Sequence, residues 1–199
     1  DQIFLSHQAQ SIQSISVVGS YFVSATSDGN IRRWSLPSLS LTLMTNYHLC
    51  PVVAVAGSFE MNLIVSMDIF GYVLFESLTE SYCYSSAKLD GGYPNNDFQF
   101  FKNGIVALIQ TNDASSMITL FNIEGKIIEK RLFKCPIQEF DHVTGINHDQ
   151  YLIIGYKSRV VEFLEIPTLQ TSLYYQSQNC IPGMKFCRIR GSTNSILAL

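Results

Sequence analysis

The chain has 199 residues and a mass of 22.4 kDa, enough for one large domain with a buried core, which excludes a disordered or collagen-like polypeptide. Hydrophobic residues make up 47%, aromatics 12% and charged residues only 15%, below the roughly 25% usual for soluble domains, so much of the surface is uncharged or covered. The 13 Lys and Arg against 16 Asp and Glu leave a net charge of −3, with the cations scattered from Arg32-Arg33 to Arg190. That is no electrostatic footprint for nucleic acid or anionic lipid.

In chain order, apolar strand starts are expected at Ile12-x-x-Ile15, Val52-x-x-Val55, Ile137-x-x-Phe140 and Ile181-x-x-Met184, with a degenerate copy around Phe98-Gln-Phe100. A second strand follows in each unit: Tyr21-Phe-Val-Ser-Ala25, Leu63-Ile-Val-Ser-Met67, Gly104-Ile-Val-Ala-Leu108 and Tyr151-Leu-Ile-Ile-Gly155. The third begins with a β-branched residue and ends in Leu or Ile: Ile31-Arg-Arg-Trp34-Ser-Leu36, Val73-Leu-Phe-Glu76-Ser-Leu78, Ile118-Thr-Leu-Phe121-Asn-Ile123 and Val161-Glu-Phe-Leu164-Glu-Ile166. Successive starts of this third strand lie 42, 45 and 43 residues apart. A fourth strand is read from the period of two in Leu39-Ser-Leu41-Thr-Leu43. Asp28-Gly29 predicts a hairpin of type I′, which needs positive φ at both central residues, and Glu124-Gly125 another tight turn. No ten-residue stretch has helical periodicity.

A period of about 43 residues with four short antiparallel strands per unit is the blade of an all-β propeller. The expected units are residues 1–40, 41–82, 83–127 and 128–170, with the start of a fifth at 171–199. Units one and four agree furthest, through Leu36-Pro37-Ser38-Leu39 and Ile166-Pro167-Thr168-Leu169. Propellers of this type usually close with about seven blades, so about four and a half blades read as a piece of a longer protein.

His7, Ser24, Asp28-Gly29 and Trp34 make the first unit resemble a WD-repeat. The resemblance implies a buried hydrogen-bonded network joining a His before the first strand, a Ser on the second, an Asp in the next turn and a Trp on the third. His7, Ser24, Asp28 and Trp34 fall on those positions. The second unit keeps His48 and Ser66 but has Phe70 and Glu76 where Asp and Trp stand in that pattern, and units three and four keep only the hydrophobic skeleton. Within WD-repeat proteins the chain is most similar to the propeller that follows the BEACH domain in large trafficking scaffolds. The carriers are His48-x-x-Pro51-Val52-x-x-Val55, Asn62-Leu-Ile-Val65-Ser66, Gly71-x-Val73 with Ser77-Leu78, and Ile118 to Gly125. This implies a cytoplasmic scaffold, peripheral at vesicle or organelle membranes, that binds proteins, belongs with further domains of a longer chain and uses no cofactor.

Other features agree with that setting. No apolar run reaches the ~18 residues of a membrane span, and no signal peptide is legible before Asp1. The cysteines, Cys50, Cys83, Cys135, Cys180 and Cys187, are odd in number and lack a C-x-x-C pair, which favours a reducing compartment.

Chemistry finds little purchase. The chain has no Gly-x-Ser-x-Gly, Gly-x-Gly-x-x-Gly, phosphate-cradling Gly-Lys-Ser/Thr or His-Glu-x-x-His. His7, Ser24 and Asp28 are hydrolase residue types, but their WD-repeat positions make them structural. Asp141-His142 and His148-Asp149 bracket Val143 to Asn147, and a hairpin with polar residues beside its turn accounts for them, whereas zinc needs convergent ligands. Asp90 to Asp97 lacks calcium-loop spacing and reads as a loop between blades, with Tyr93 a weak interface candidate. Tyr82, Tyr84, Tyr174 and Tyr175 mark either a partner surface or, more often for such residues, packing against a neighbouring blade. Two functions from different classes stay open: a non-catalytic interaction platform, and an enzyme or small-ligand propeller with its site in the central channel. The second needs repeated polar groups at equivalent turns, and Asp28, Phe70 and Ser158 do not repeat. The platform is the expectation, with no catalytic, cofactor or metal site.

Overall fold

The computed structural model describes residues 10–89, 93–144, 149–158 and 160–176, together with the backbone of 186–188 and 196–198. Its described secondary structure is entirely β. The first sheet is β1 (Ile12–Val18), β2 (Tyr21–Thr26), β3 (Ile31–Ser35) and β4 (Leu41–Thr45); the second is β5 (Val52–Ser58), β6 (Leu63–Asp68), β7 (Tyr72–Ser77) and β8 (Cys83–Lys88). The third is β9 (Asn95–Phe101), β10 (Ile105–Thr111), β11 (Ser116–Asn122) and β12 (Ile127–Phe133); the fourth is β13 (Ile137–Thr144), β14 (Gln150–Tyr156), β15 (Val160–Ile166) and β16 (Thr171–Gln176). A pair, β17 (Phe186–Arg188) and β18 (Ile196–Ala198), follows. Each four-stranded sheet is an antiparallel meander in sequence order, and the first strand of each of the first four sheets lies beside the first strand of the next. This is a propeller-like arrangement. The expected unit ends at 40, 82 and 170 fall just before the last strand of their sheets and the end at 127 on the first residue of β12, so each hydrogen-bonded sheet runs about one strand past its expected unit. The fifth expected first strand, at Ile181 to Met184, lies outside the described residues.

Local chemistry explains the turns. At Asp28-Gly29 only Gly29 has positive φ, at 85°, and its N–H donates to the Thr26 carbonyl at 3.1 Å. The hairpin is therefore a type I turn closed by a left-handed glycine, and the expected type I′ turn is corrected. Gly71, Gly104 and Gly125 repeat it, each with positive φ and an N–H bonded three residues back, to Asp68, Phe101 and Asn122. The Pro37 and Pro167 segments match in three dimensions: both Pro bonds are cis, and Leu39 and Leu169 share φ near 50°. The strand read from Leu39 begins two residues later, at Leu41.

Extra residues recur at fixed places. Strands β1, β5 and β13 each carry one unpaired residue near their start, Gln13, Val53 and Gln138, while β9 pairs without a shift. The fourth strands likewise bulge at Thr42, Tyr84, Ile128 and Ser172. Bulges absorb an added residue without turning the strand's apolar set to the wrong face. The pairing also moves the third unit by one: Leu108, opposite Thr119, takes the place of Ser24 and Ser66, where the sequence alignment had put Ala107.

Each sheet buries both faces where it has neighbours. Val18, Val23, Ala25 and Ile31 pack on Val52, Val55, Ile64 and Leu78. The other face of the second sheet, with Val65, Val73 and Phe75, packs on Phe98, Val106 and Phe121. Ala107, Ile109, Ile118 and Leu120 meet Leu152, Ile154 and Leu164. At Gly57 an added Cβ would collide with Val18, so the glycine is what lets the first two sheets approach. Among the described residues nothing covers the first sheet's outward face in this way: Ile15 is 59% and Val17 69% exposed. By strand pairing Ile15 is the counterpart of Val55, which is 5% exposed.

Candidate functional site

The polar residues singled out in the sequence sort into two adjoining networks. In the first sheet the Trp34 indole N–H donates to Ser24 Oγ at 3.1 Å, with both residues buried. Asp28 sits in the next turn, where it accepts from Thr26 Oγ1, from the Asn30 side chain at 2.5 Å and backbone at 3.2 Å, and from Arg32 at 3.2 Å. Burial opposes its ionisation, but the bonds from Thr26, Asn30 and Arg32 outweigh that and bring its pKa to about 2. His7 lies outside the described residues.

In the second sheet His48 Nε2 lies 2.8 Å from Ser66 Oγ and its Nδ1 3.3 Å from Asp68 Oδ2. The carboxylate that position 70 lacks is thus supplied from two residues earlier, at the end of β6. Asp68 also accepts the Phe70 and Tyr72 backbone N–H groups at 2.9 and 3.0 Å, closing the β6–β7 turn. Burial lowers the His48 pKa, with Asp68 and Glu76 opposing it. Ser66, His48 and Asp68 have the residue types and order of contacts of a hydrolase triad, yet all three are at least 96% buried. A substrate carbonyl has no approach to Ser66 Oγ there, and the trio instead fastens the β4–β5 connection onto the sheet.

Sequence reading missed the strongest polar contact. Arg33, one of the cations scattered through the sequence, is fully buried, and its Nη2 lies 3.0 Å from Glu76 Oε2 on the next sheet and 2.9 Å from the Ser77 carbonyl. Thr45 joins them, accepting from Arg33 at 3.1 Å and donating to Glu76 at 2.6 Å. Glu76 is the residue standing at the Trp position of the second unit. The signal was present in that replacement, since a carboxylate in an otherwise apolar strand requires a buried cation.

The remaining candidates separate. Asn95 to Asp97 belong to β9 rather than to a loop. Asp141 and His142 are neighbours on β13, their side chains 3.6 Å apart, and His148 lies outside the described residues. No group of three or more His, Cys, Asp or Glu among the described residues has the geometry to hold a metal. Tyr82, Tyr84, Tyr174 and Tyr175 are all exposed, so they do not pack into a neighbouring sheet as expected; Tyr82 and Tyr84 meet edge to face with ring centres 5.1 Å apart.

Two open clefts adjoin at the ends of the innermost strands. One, of about 390 Å³, lies between β9 and β13, and the other, of about 330 Å³, between β6 and β9; Val53, Pro94 and Asn96 line both. Val53 and Gln138, the bulged residues of β5 and β13, face the larger one.

No protein-family model matches the chain, and no curated protein does. Among solved structures it is similar to the computationally designed Ika4 protein, with a TM-score of 0.60 and 20% identity over 82% of this chain and 96% of that one. It is also similar to the computationally designed Ika8 protein, with a TM-score of 0.65 and 16% identity over 94% of this chain and 54% of that one. At such identities the likeness shows the fold alone, an all-β repeat of four-stranded antiparallel sheets. No helix among the described residues is long and apolar enough to cross a membrane.

Proposed function

We propose that this chain is part of a WD-repeat-type propeller that serves as a non-catalytic protein-interaction scaffold, of the kind associated with BEACH domains in vesicle or membrane trafficking. One observation carries the platform half: the described groups suited to catalysis, Ser66, His48 and Asp68, are sealed inside a sheet and bonded to each other. The exposed rim and turns meanwhile present aromatics such as Phe70, Tyr72, Tyr82 and Tyr84, the kind of side chain that anchors protein interfaces. The trafficking half rests on the hydrophobic-skeleton resemblance from His48 to Gly125. Membrane contact is indirect, through partners or other domains, because the chain has no basic cluster.

Affinity capture from cytosol with the full-length protein tests the reading, and trafficking proteins are the expected catch. Recovery of only nuclear or ribosomal proteins overturns the trafficking half. Turnover of ester or amide substrates that Ser66→Ala abolishes overturns the platform half, and direct salt-sensitive binding to anionic liposomes overturns indirect contact.

A further inference from the structure

The cleft between β9 and β13 has a definite chemistry. Its described lining residues include one carboxylate, Asp97, the amides of Asn95, Asn96 and Gln138 and the Thr111 hydroxyl, and no Lys, Arg or His is among them. Asp97 Oδ1 accepts the Phe98 N–H at 2.8 Å, and Asp97 has no ion-pair partner among the described residues. Asn95 and Gln138 likewise make no side-chain hydrogen bond there. The remaining wall is apolar, from Val53, Ile109, Ile137 and the ring of Phe140. Acceptors at the rim beside an apolar and aromatic wall suit a cation carried on an alkyl stem: the stem packs, and the head finds a carboxylate, amide oxygens and a ring.

We propose that this cleft receives a lysine or arginine side chain of a protein partner, with Asp97 as the counter-charge and Asn95 and Gln138 as hydrogen-bond acceptors. The proposal deepens the scaffold reading and rests on it. Desolvation by the packed strands also holds the Asp97 carboxyl above the usual carboxylate range, although part of the side chain faces solvent. A bound cation relieves that cost. A lone carboxylate supplies too little anionic ligation for a simple divalent metal ion, whereas the apolar part of the wall packs an alkyl stem.

Calorimetric titration of the full-length protein with Nα-acetyl-arginine methylamide, its lysine counterpart and the neutral citrulline isostere is the test. The cationic probes should bind, citrulline should bind at least about 10-fold more weakly, and Asp97→Asn should lose a similar factor for the cations only. Gln138→Ala provides a second variant on another strand, with a smaller loss expected, and melting curves verify that both variants fold. Raising the salt concentration should weaken cation binding to the wild type. Equal affinity for citrulline, indifference to Asp97→Asn in a folded variant, or salt-independent binding overturns the proposal. Tighter binding of free arginine than of the capped probe also overturns it, since a small molecule is then the ligand. Trafficking proteins captured without any cationic probe binding would sink this proposal and leave the scaffold reading standing.

Discussion

The guanidinium of Arg33 and the carboxylate of Glu76 meet at 3.0 Å across the boundary of the first two sheets, with both side chains wholly sealed from water. Desolvating two charges costs several kcal/mol each; the ion pair and the Thr45 and Ser77 bonds offset part of this, while Arg33 Nε and Glu76 Oε1 find no hydrogen-bond partner among the described residues. Arg33→Met or Glu76→Leu alone leaves an uncompensated buried charge and should cost about 3–5 kcal/mol. The double variant should lie far closer to the wild type than the sum of the singles. Urea denaturation of all four proteins gives the coupling, and additive losses would contradict it.

Trp34 is buried and also bonded to Ser24. Trp34→Ala should destabilise by about 3–5 kcal/mol. Trp34→Phe keeps most of the apolar area and orphans the Ser24 hydroxyl, so its loss should be nearer 1 kcal/mol. Denaturant midpoints that rank the two variants the other way would refute this account of the site.

Asp28 gives the stability an acid-side pH dependence. Its folded pKa of about 2 lies below the ordinary value of 3.8, so its contribution is complete above pH 3.8 and disappears as pH falls toward 2. Linkage sets a ceiling of about 2 kcal/mol, which solvent screening at this part-exposed group reduces to about 1 kcal/mol. Asp28→Asn should flatten this part of the profile measured by urea melts from pH 5 to 2.

His48 acts in a higher window. Its folded pKa lies below the ordinary value of 6.5, so the folded state disfavours the extra proton, and stability should decline as pH drops below 6.5. His48→Gln should remove that decline while preserving bonding to Ser66. An unchanged slope between pH 6.5 and 5 in the variant would assign the effect elsewhere.

Why these interactions were legible or hidden follows from their range. The strands at Tyr21–Ala25 and Val73–Leu78 are visible in sequence because burial on a sheet imposes a local apolar pattern. The repeat multiplies that signal four times. Ser24 and Trp34 come from one hairpin, so their pairing is almost local. Arg33 and Glu76 sit in different sheets, so the carboxylate at the Trp position calls for a buried cation without naming which one. The Asp68 carboxylate is hidden because Asp28 lies four residues after Ser24, whereas the second sheet serves the same turn from only two residues after Ser66. The shift from Ala107 to Leu108 stayed hidden because Gly104, which aligns with Tyr21 and Leu63 in sequence, is the glycine of the preceding turn, and β10 starts one residue later, at Ile105.

The bare face of the first sheet predicts behaviour in solution. Val17→Lys with Ile15→Lys should reduce light scattering of the 199-residue chain without lowering its melting temperature, because both side chains are more than half exposed. Scattering unchanged by both substitutions would locate self-association on another surface.

The bulges at Thr42, Tyr84, Ile128 and Ser172 break the backbone ladder on the outermost strand of all four sheets. Each bulge falls at the second residue of its strand, so the straight run of N–H and C=O groups open to a foreign strand is shortened, to Leu43–Thr45 in β4 and to Glu129–Phe133 in β12. Strand addition, in which main chain supplies the affinity and almost any extended segment qualifies, is thereby disfavoured along these four strands. Recognition at the rim falls to individual side chains, and with it discrimination: a visitor is admitted by its chemistry and refused on its mere conformation.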